Sequence, residues 1–329
     1  MLHAKSPDIS STSHFLELPD FLETSKVVLK IEGMNLAGSI KNKAALAMVE
    51  NAELRGTLKP GGHIIESSSG SLGVALAMIA AAKNYRFTCV VDPNISRVSL
   101  AAIRAFGAEV VHVEQPDANG GYLQGRLTAV RRRTEANPSI VWLNQYENPA
   151  NPEAHRDGTA VEILEQFPQV DYLFIGVGTS GTLMGCVDHF RKHSPHTRII
   201  AVDSVGSVTF GGSSQPRQIP GLGSSQKPPL FRRGCAEREI EISEHDAIRS
   251  CRTLARSYGY LAGGSTGSIV AGILEMRSEI DAGSLVMALS PDTGYRYLDT
   301  VYDDDWVRTY FDEEALAPLA PTTSMASAS

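Results

Sequence analysis

The sequence predicts an α/β fold made of two open, mostly parallel sheets, on two observations. Short runs of apolar, β-branched residues alternate closely with alanine- and leucine-rich helical patterns, as parallel strands covered by helices require. Twice, a strand-like run ends in glycine and hydroxylated residues that open a helix, over 67–73 and over 176–185. Ligands of open parallel sheets bind at such strand ends.

In order, a strand over 27–32 leads to a turn with Gly38 and Ser39, then a helix over 44–54 stopped by Gly56. Lys41 therefore falls near a helix start, where the dipole disfavours a cation. A neutral amine is helped to exist there, and a neutral amine is a nucleophile for carbonyl groups. A strand over 63–66 enters the first small-residue loop, followed by a helix over 74–82. Strands over 87–92 and 109–113 flank a helix over 96–106 that ends at Gly107. A helix opens at Gly120-Gly121-Tyr122 and runs through Arg133, a strand covers 140–143, and a helix runs from Asn151 or Pro152 to Phe167. A strand over 172–175 feeds the second glycine-rich turn, and 198–203 is the next strand.

Residues 206–229 are rich in Gly, Ser and Pro and read as an irregular loop near the site. Helices over 247–258 and 268–276 and a strand over 284–289 follow. The composition after Ala315 predicts a disordered tail over 316–329. There are no internal repeats.

The 329 residues allow two lobes with real cores, and 42% hydrophobic with 20% charged residues is ordinary for a soluble globular enzyme. A net charge of -7 argues against a nucleic-acid partner. No apolar run reaches the length of a membrane helix, and the N-terminus does not read as a signal peptide. Cys89, Cys186, Cys235 and Cys251 lack metal or redox spacing, so a cytoplasmic, reducing location and no metal are expected.

In Gly178-Thr179-Ser180-Gly181-Thr182, successive N–H groups at a helix start converge on an anion such as a phosphate. The same stretch from Gly176 matches G-x-G-x-x-G, and Asp203 ends the next strand, so a dinucleotide-binding dehydrogenase is a rival reading.

Taken together, these motifs resemble the fold-type II pyridoxal phosphate enzymes of the cysteine synthase and cystathionine β-synthase superfamily. Ser39-Ile40-Lys41 resembles their Ser-x-Lys loop, and residues 68–73 their Thr-Ser-Gly-Asn-x-Gly loop. Residues 178–182 resemble their phosphate cup. Gln145 with 148–153 and residues 264–267 match further segments, and the likeness spans about 15–306. Residues 89–93, 116–123, 220–223, 262–268 and 296–299 are most similar to one branch. That branch joins O-phospho-L-serine to L-glutamate, giving N-(2-amino-2-carboxyethyl)-L-glutamate for 2,3-diaminopropionate and siderophores.

The resemblance implies a large cofactor domain of 1–37 with 146–315, a small mobile domain of 38–145, and a homodimer. It implies pyridoxal 5'-phosphate bound through Lys41, Ser71, Gly178, Thr179, Ser180, Gly181, Thr182 and Ser265. Lys41 would be the Schiff-base lysine and then the base for the α-proton, and Ser265 would meet the ring nitrogen. A hydroxyl there makes the ring a weaker electron sink, which favours loss of a β-substituent to an aminoacrylate. Ser68, Ser69, Gly70 and Gln145 would receive the substrate carboxylate. Arg126, one helical turn beyond Tyr122, would act with Tyr146 on the phosphoryl leaving group or the second acid.

The sequence departs from the family pattern at Ser71 (usually Asn), at Lys43 (usually Arg) and at Gly178 (a serine in the branch). A cysteine or cystathionine-type synthase, or a non-catalytic relative on the same fold, are the alternatives these departures leave.

Overall fold

The structure, a computed structural model, describes residues 13–117 and 120–319. Ala118 and Asn119 of the 116–123 match, the first twelve residues and residues 320–329 of the expected tail lie outside the described residues.

The first half contains β1 (His14–Leu18), β2 (Lys26–Ile31), α1 (Lys41–Leu54), β3 (His63–Ser67), α2 (Ser71–Lys83), β4 (Arg86–Val91), α3 (Arg97–Ala105), β5 (Glu109–His112), α4 (Leu123–Ala136) and β6 (Ile140–Trp142). After it come α5 (Ala150–Ala154), a π-helical turn (His155–Thr159), α6 (Ala160–Gln166), β7 (Tyr172–Gly176), α7 (Gly181–His193), β8 (Arg198–Ser204) and β9 (Arg238–Ile242). The last are α8 (Glu244–Tyr258), α9 (Gly264–Glu275), β10 (Leu285–Ser290) and α10 (Asp304–Tyr310), with 3-10 turns at Gly294–Tyr297 and Glu313–Leu316.

Two sheets form, in the orders β1-β2-β10-β7-β8-β9 and β5-β4-β3-β6. All pairings are parallel except that of β1 with β2. The central strands β7 and β10 are continuous apolar runs because helices bury both faces of the sheet. For the same reason α2 is apolar on nearly all sides, with nine of its residues buried. The four-stranded sheet draws only on residues 63–142 and the six-stranded sheet on 14–31 and 172–290. On that membership we propose the division into a large lobe (1–37 and 146–315) and a small lobe (38–145).

The differences from the sequence reading have local causes. β1 and β9 are the edge strands of the large sheet; being half-covered, they lack the apolar run that marks a central strand. α1 begins at Lys41 and α9 at Gly264, three and four residues before the expected starts, because small and polar residues pack well in a first turn buried at a lobe boundary. The expected disorder after Ala315 is corrected for residues 316–319. Leu319 N donates to Thr253 Oγ1 (2.8 Å) and Arg249 Nε donates to Ala317 O (3.2 Å), which fastens this segment to α8.

Candidate active site

The two glycine-rich loops and Lys41 come together between the sheets. Lys41 is the first residue of α1, with no acidic residue in that first turn and no side-chain cap before it. It is partly exposed to a cleft but surrounded by protein, and burial lowers its pKa while the Asp292 carboxylate opposes the shift. A backbone bond from Ile40 N to Pro291 O (2.7 Å) and a bridge between Ser39 and Asp292 hold this turn against the end of β10.

The first loop runs from β3 to the N-terminus of α2. Ser68 Oγ accepts from Gly73 N (3.0 Å) and Gly70 N (3.3 Å), and Ser69 Oγ accepts from Asp92 N (2.8 Å). A hydroxyl that accepts from an N–H keeps its own proton to donate, so both serines present O–H groups at a helix N-terminus, as a carboxylate requires. Gln145 lies against this loop, with Nε2 donating to Ser67 O (2.8 Å) and its backbone N donating to Glu66 Oε2 (3.1 Å). Glu66 also accepts from Ser67 N (2.7 Å) and Trp142 Nε1 (3.1 Å), yet full burial pushes its carboxyl up to about 7.

The second loop joins β7 to α7. Ser180, the residue before α7, has φ +70°, a conformation that suits glycine better than serine. A Cβ on Gly181 would lie 2.1 Å from Asn151 Oδ1. The absence of that Cβ lets α5 close over the loop: Asn151 Nδ2 donates to Gln145 O (2.7 Å) and to Thr179 Oγ1 (3.3 Å). Residues 178–182, Lys41, Gly221 and Pro291 enclose a cup of about 30 Å³, and Ser180 Oγ is buried without a hydrogen-bond partner.

A larger cleft of about 420 Å³ extends from Lys41 past residues 68–71, Gln145 and Ser265 to Arg217, Arg296 and Trp306. Ser265 is in the first turn of α9 and faces Gly221, whose φ of +116° brings the backbone close to it. Arg296 Nη1 donates to Ser71 Oγ (3.1 Å) and Nη2 donates to Ala37 O, so it ties the first loop to the segment after β10. Arg217 is anchored on Gly206 O, and burial lowers its pKa.

The structure thus gathers Lys41, Ser68, Ser69, Gly70, Ser71, Gln145 and Ser265 around one cleft, with residues 178–182 in the adjoining cup. It places Arg126 and Tyr146 elsewhere. Arg126 stands behind the first loop, Nε 3.1 Å from Asp92 Oδ2 and Nη1 donating to Ser69 Oγ (3.5 Å), and neither residue lines the cleft. The Arg126 guanidinium is thus paired with Asp92 and bonded to Ser69. Asp203, the acid of the dehydrogenase reading, is fully buried beneath the 206–229 loop, with its carboxyl pushed up to about 6 by burial.

Sequence reasoning missed Arg217, Arg296, Asp292, Asn151 and His155. Asn151 and Arg296 carried a signal only as members of the 148–153 and 296–299 matches; the others enter through folding of distant segments onto the cleft.

Comparison with known proteins follows this geometry. Residues 12–292 match the family model described as pyridoxal-phosphate dependent enzyme. Two relatives are N-(2-amino-2-carboxyethyl)-L-glutamate synthases. The one from Ralstonia nicotianae is 43% identical over 86% of this chain and 84% of its own. The one from Cupriavidus metallidurans is 42% identical over 92% and 90%. Among solved structures, O-ureido-L-serine synthase superposes with a TM-score of 0.81 at 34% identity, covering 90% of this chain and 96% of its own.

Proposed function

Because this chain belongs to the pyridoxal-phosphate-dependent enzymes, in their fold-type II group, we propose that it replaces the β-substituent of an activated L-serine with an amino-acid amine. The activated serine in this reading is O-phospho-L-serine, the amine L-glutamate and the product N-(2-amino-2-carboxyethyl)-L-glutamate. The observation that carries it is the cleft itself. From Lys41 it extends some 420 Å³ to two guanidinium groups, Arg217 and Arg296, room and charge for a second, dianionic amino acid that a sulfide nucleophile would not need.

The residues fit the cofactor. The cup offers backbone N–H groups at the start of α7 and an orphan Ser180 hydroxyl, and Lys41 forms part of its wall. When bound, pyridoxal phosphate supplies the electron sink that lets an α-proton and a β-substituent leave.

The rest falls to the protein. Lys41, whose pKa burial lowers, takes the α-proton and returns it. Ser68, Ser69 and the N-terminus of α2 hold the substrate carboxylate, with Gln145 closing that side. Ser265 donates or accepts at the ring nitrogen as a neutral partner. Arg217 and Arg296 offset the negative charge of the leaving phosphate and the incoming acid. Arg126 steadies Ser69, a support role in place of the leaving-group role expected from sequence.

Four buried, free cysteines support a reducing, cytoplasmic setting, and no helix among the described residues is long and apolar enough to cross a membrane. A homodimer, from the family likeness, and supply of 2,3-diaminopropionate for siderophores complete the reading. Mass analysis of products from O-phospho-L-serine or O-acetyl-L-serine, each with glutamate or sulfide, tests it. N-(2-amino-2-carboxyethyl)-L-glutamate with release of inorganic phosphate is expected. Cysteine alone would assign the chain to the sulfur branch, and no product with any pair would mark a non-catalytic relative.

A further inference from the structure

A line of buried side chains leads from the cup to an ion cluster that the chemistry above does not use. In the cluster, Lys43 Nζ lies 3.0 Å from Glu32 Oε1 and 2.7 Å from Glu162 Oε2, and Lys30 Nζ lies 2.8 Å and 2.5 Å from the same two acids. Lys43 Nζ also donates to Thr159 Oγ1 (3.4 Å). Thr159 Oγ1 is 3.1 Å from His155 Nδ1, and His155 Nε2 is 3.3 Å from Thr182 Oγ1, in the cup. His155 and Thr159 are fully buried on the π-helical turn. They reach α7 because Gly185 has no side chain: a Cβ there would stand 2.2 Å from Pro152 O and 2.8 Å from His155 Cβ.

The donors and acceptors of this line have one consistent direction. An ammonium only donates, so Thr159 oxygen accepts from Lys43 and its single proton points to His155 Nδ1. A neutral imidazole then carries its proton on Nε2 and donates it to Thr182 oxygen. That leaves the Thr182 proton directed into the cup, where a phosphate only accepts. Burial above all, joined by the positive charge of Lys43, holds His155 neutral, as this direction requires.

We propose that Lys43, Thr159 and His155 are positioning residues that fix the Thr182 hydroxyl as a donor to the cofactor phosphate. The inference rests on the cup at residues 178–182 being the phosphate site. It also gives Lys43 a reason of its own: an arginine at that place keeps donors for the same line.

The test measures dissociation constants of pyridoxal phosphate and of pyridoxal, which lacks the phosphate, on the full chain stripped of cofactor. The phosphorus-31 resonance of the reloaded protein is recorded alongside. Thr159→Val is expected to weaken pyridoxal phosphate roughly tenfold, leave pyridoxal unchanged and move the resonance. Thr159→Ser and Lys43→Arg, which keep the donors, are expected to retain the wild-type ratio of the two constants. Thr182→Val serves as the reference for the cup. If Thr182→Val lowers the preference for the phosphorylated form and Thr159→Val does not, the line is overturned while the cup stands. If Thr182→Val has no effect, the phosphate site itself is wrong. Equal weakening of both compounds by Thr159→Val would show a general structural role and overturn the proposal.

Discussion

The two loops that face each other across the cleft share a sequence grammar and differ in construction. Each follows a strand, is made of glycine and hydroxylated residues, and opens a helix. The 178–182 loop is built by close approach: Gly181 admits Asn151, Ser180 is held at φ +70°, and one hydroxyl is left buried without a partner. The 67–73 loop is built by the Ser68 and Ser69 hydroxyls, which already accept backbone N–H groups; its inner end is close-packed too, a Cβ on Gly73 lying 2.8 Å from Cys89 Sγ, but at Gly70 a Cβ would meet nothing within 4 Å. The first is a seat closed around its glycine by Asn151. The second is a clamp with an open outer turn at Gly70, fastened through Ser71 to Arg296. Two glycine-rich motifs of the same grammar therefore differ in the packing behind them.

The comparison breaks most visibly at its glycines. Gly181→Ala is expected to destabilise the protein by about 3 kcal/mol and to abolish cofactor retention, because the added carbon meets the Asn151 amide, which is buried and held by its bonds to Gln145 O and Thr179 Oγ1. Gly70→Ala is expected to stay within about 0.5 kcal/mol. Urea unfolding and absorbance of the bound cofactor read both, and equal losses would remove the distinction between seat and clamp.

Glu66, behind the clamp, gives the next largest effect. Its carboxyl is raised from 4.5 to about 7 in the folded protein. The folded state therefore binds more protons than the unfolded chain in that window, and stability falls as pH rises from about 4.5 through 7. The shift corresponds to at most about 3 kcal/mol. Asp203, beside the seat, is raised to about 6 and acts in the same direction with a smaller span. Unfolding free energies of Glu66→Gln between pH 4 and 8 are expected to lose the share of the decline that Glu66 supplies, while Asp203 and Asp292, both raised to about 6, keep theirs; an unchanged slope would place the titration elsewhere.

The smallest effect separates strain from binding at one residue. Ser180→Gly relieves a left-handed serine and is expected to stabilise the chain by up to about 1 kcal/mol. It also deletes the orphan hydroxyl and is expected to weaken pyridoxal phosphate several-fold. Thermal unfolding without cofactor and a cofactor titration read the two effects apart.

Much of this site was legible before folding. Lys41 at a helix start, the cup at 178–182 and Ser68 and Ser69 ahead of α2 were all marked by small residues between an apolar strand and a helix, and Ser265, in the first turn of α9, by the resemblance of residues 264–267. The family resemblance suggested a ligand role for Arg126, and helix spacing put it on the side of Tyr122. That spacing carries no information about Asp92, which approaches from β4 and neutralises it. Arg217 had no local signal, since an arginine in an irregular segment reads as a solvated charge, and Arg296 was marked only as a member of the 296–299 resemblance, without a role.

By itself the sequence determined the alternation of strands and helices, the two glycine-rich turns and the helix-start lysine ahead of them. These depend on periodicity and on backbone freedom, which are local properties of the chain. Only the tertiary structure decided which charges face the cleft, that Lys43 joins Thr182 through His155 and Thr159, and which loop is closed around its glycine. Those outcomes depend on contacts between segments more than a hundred residues apart, and burial and partner charge act only once such segments meet.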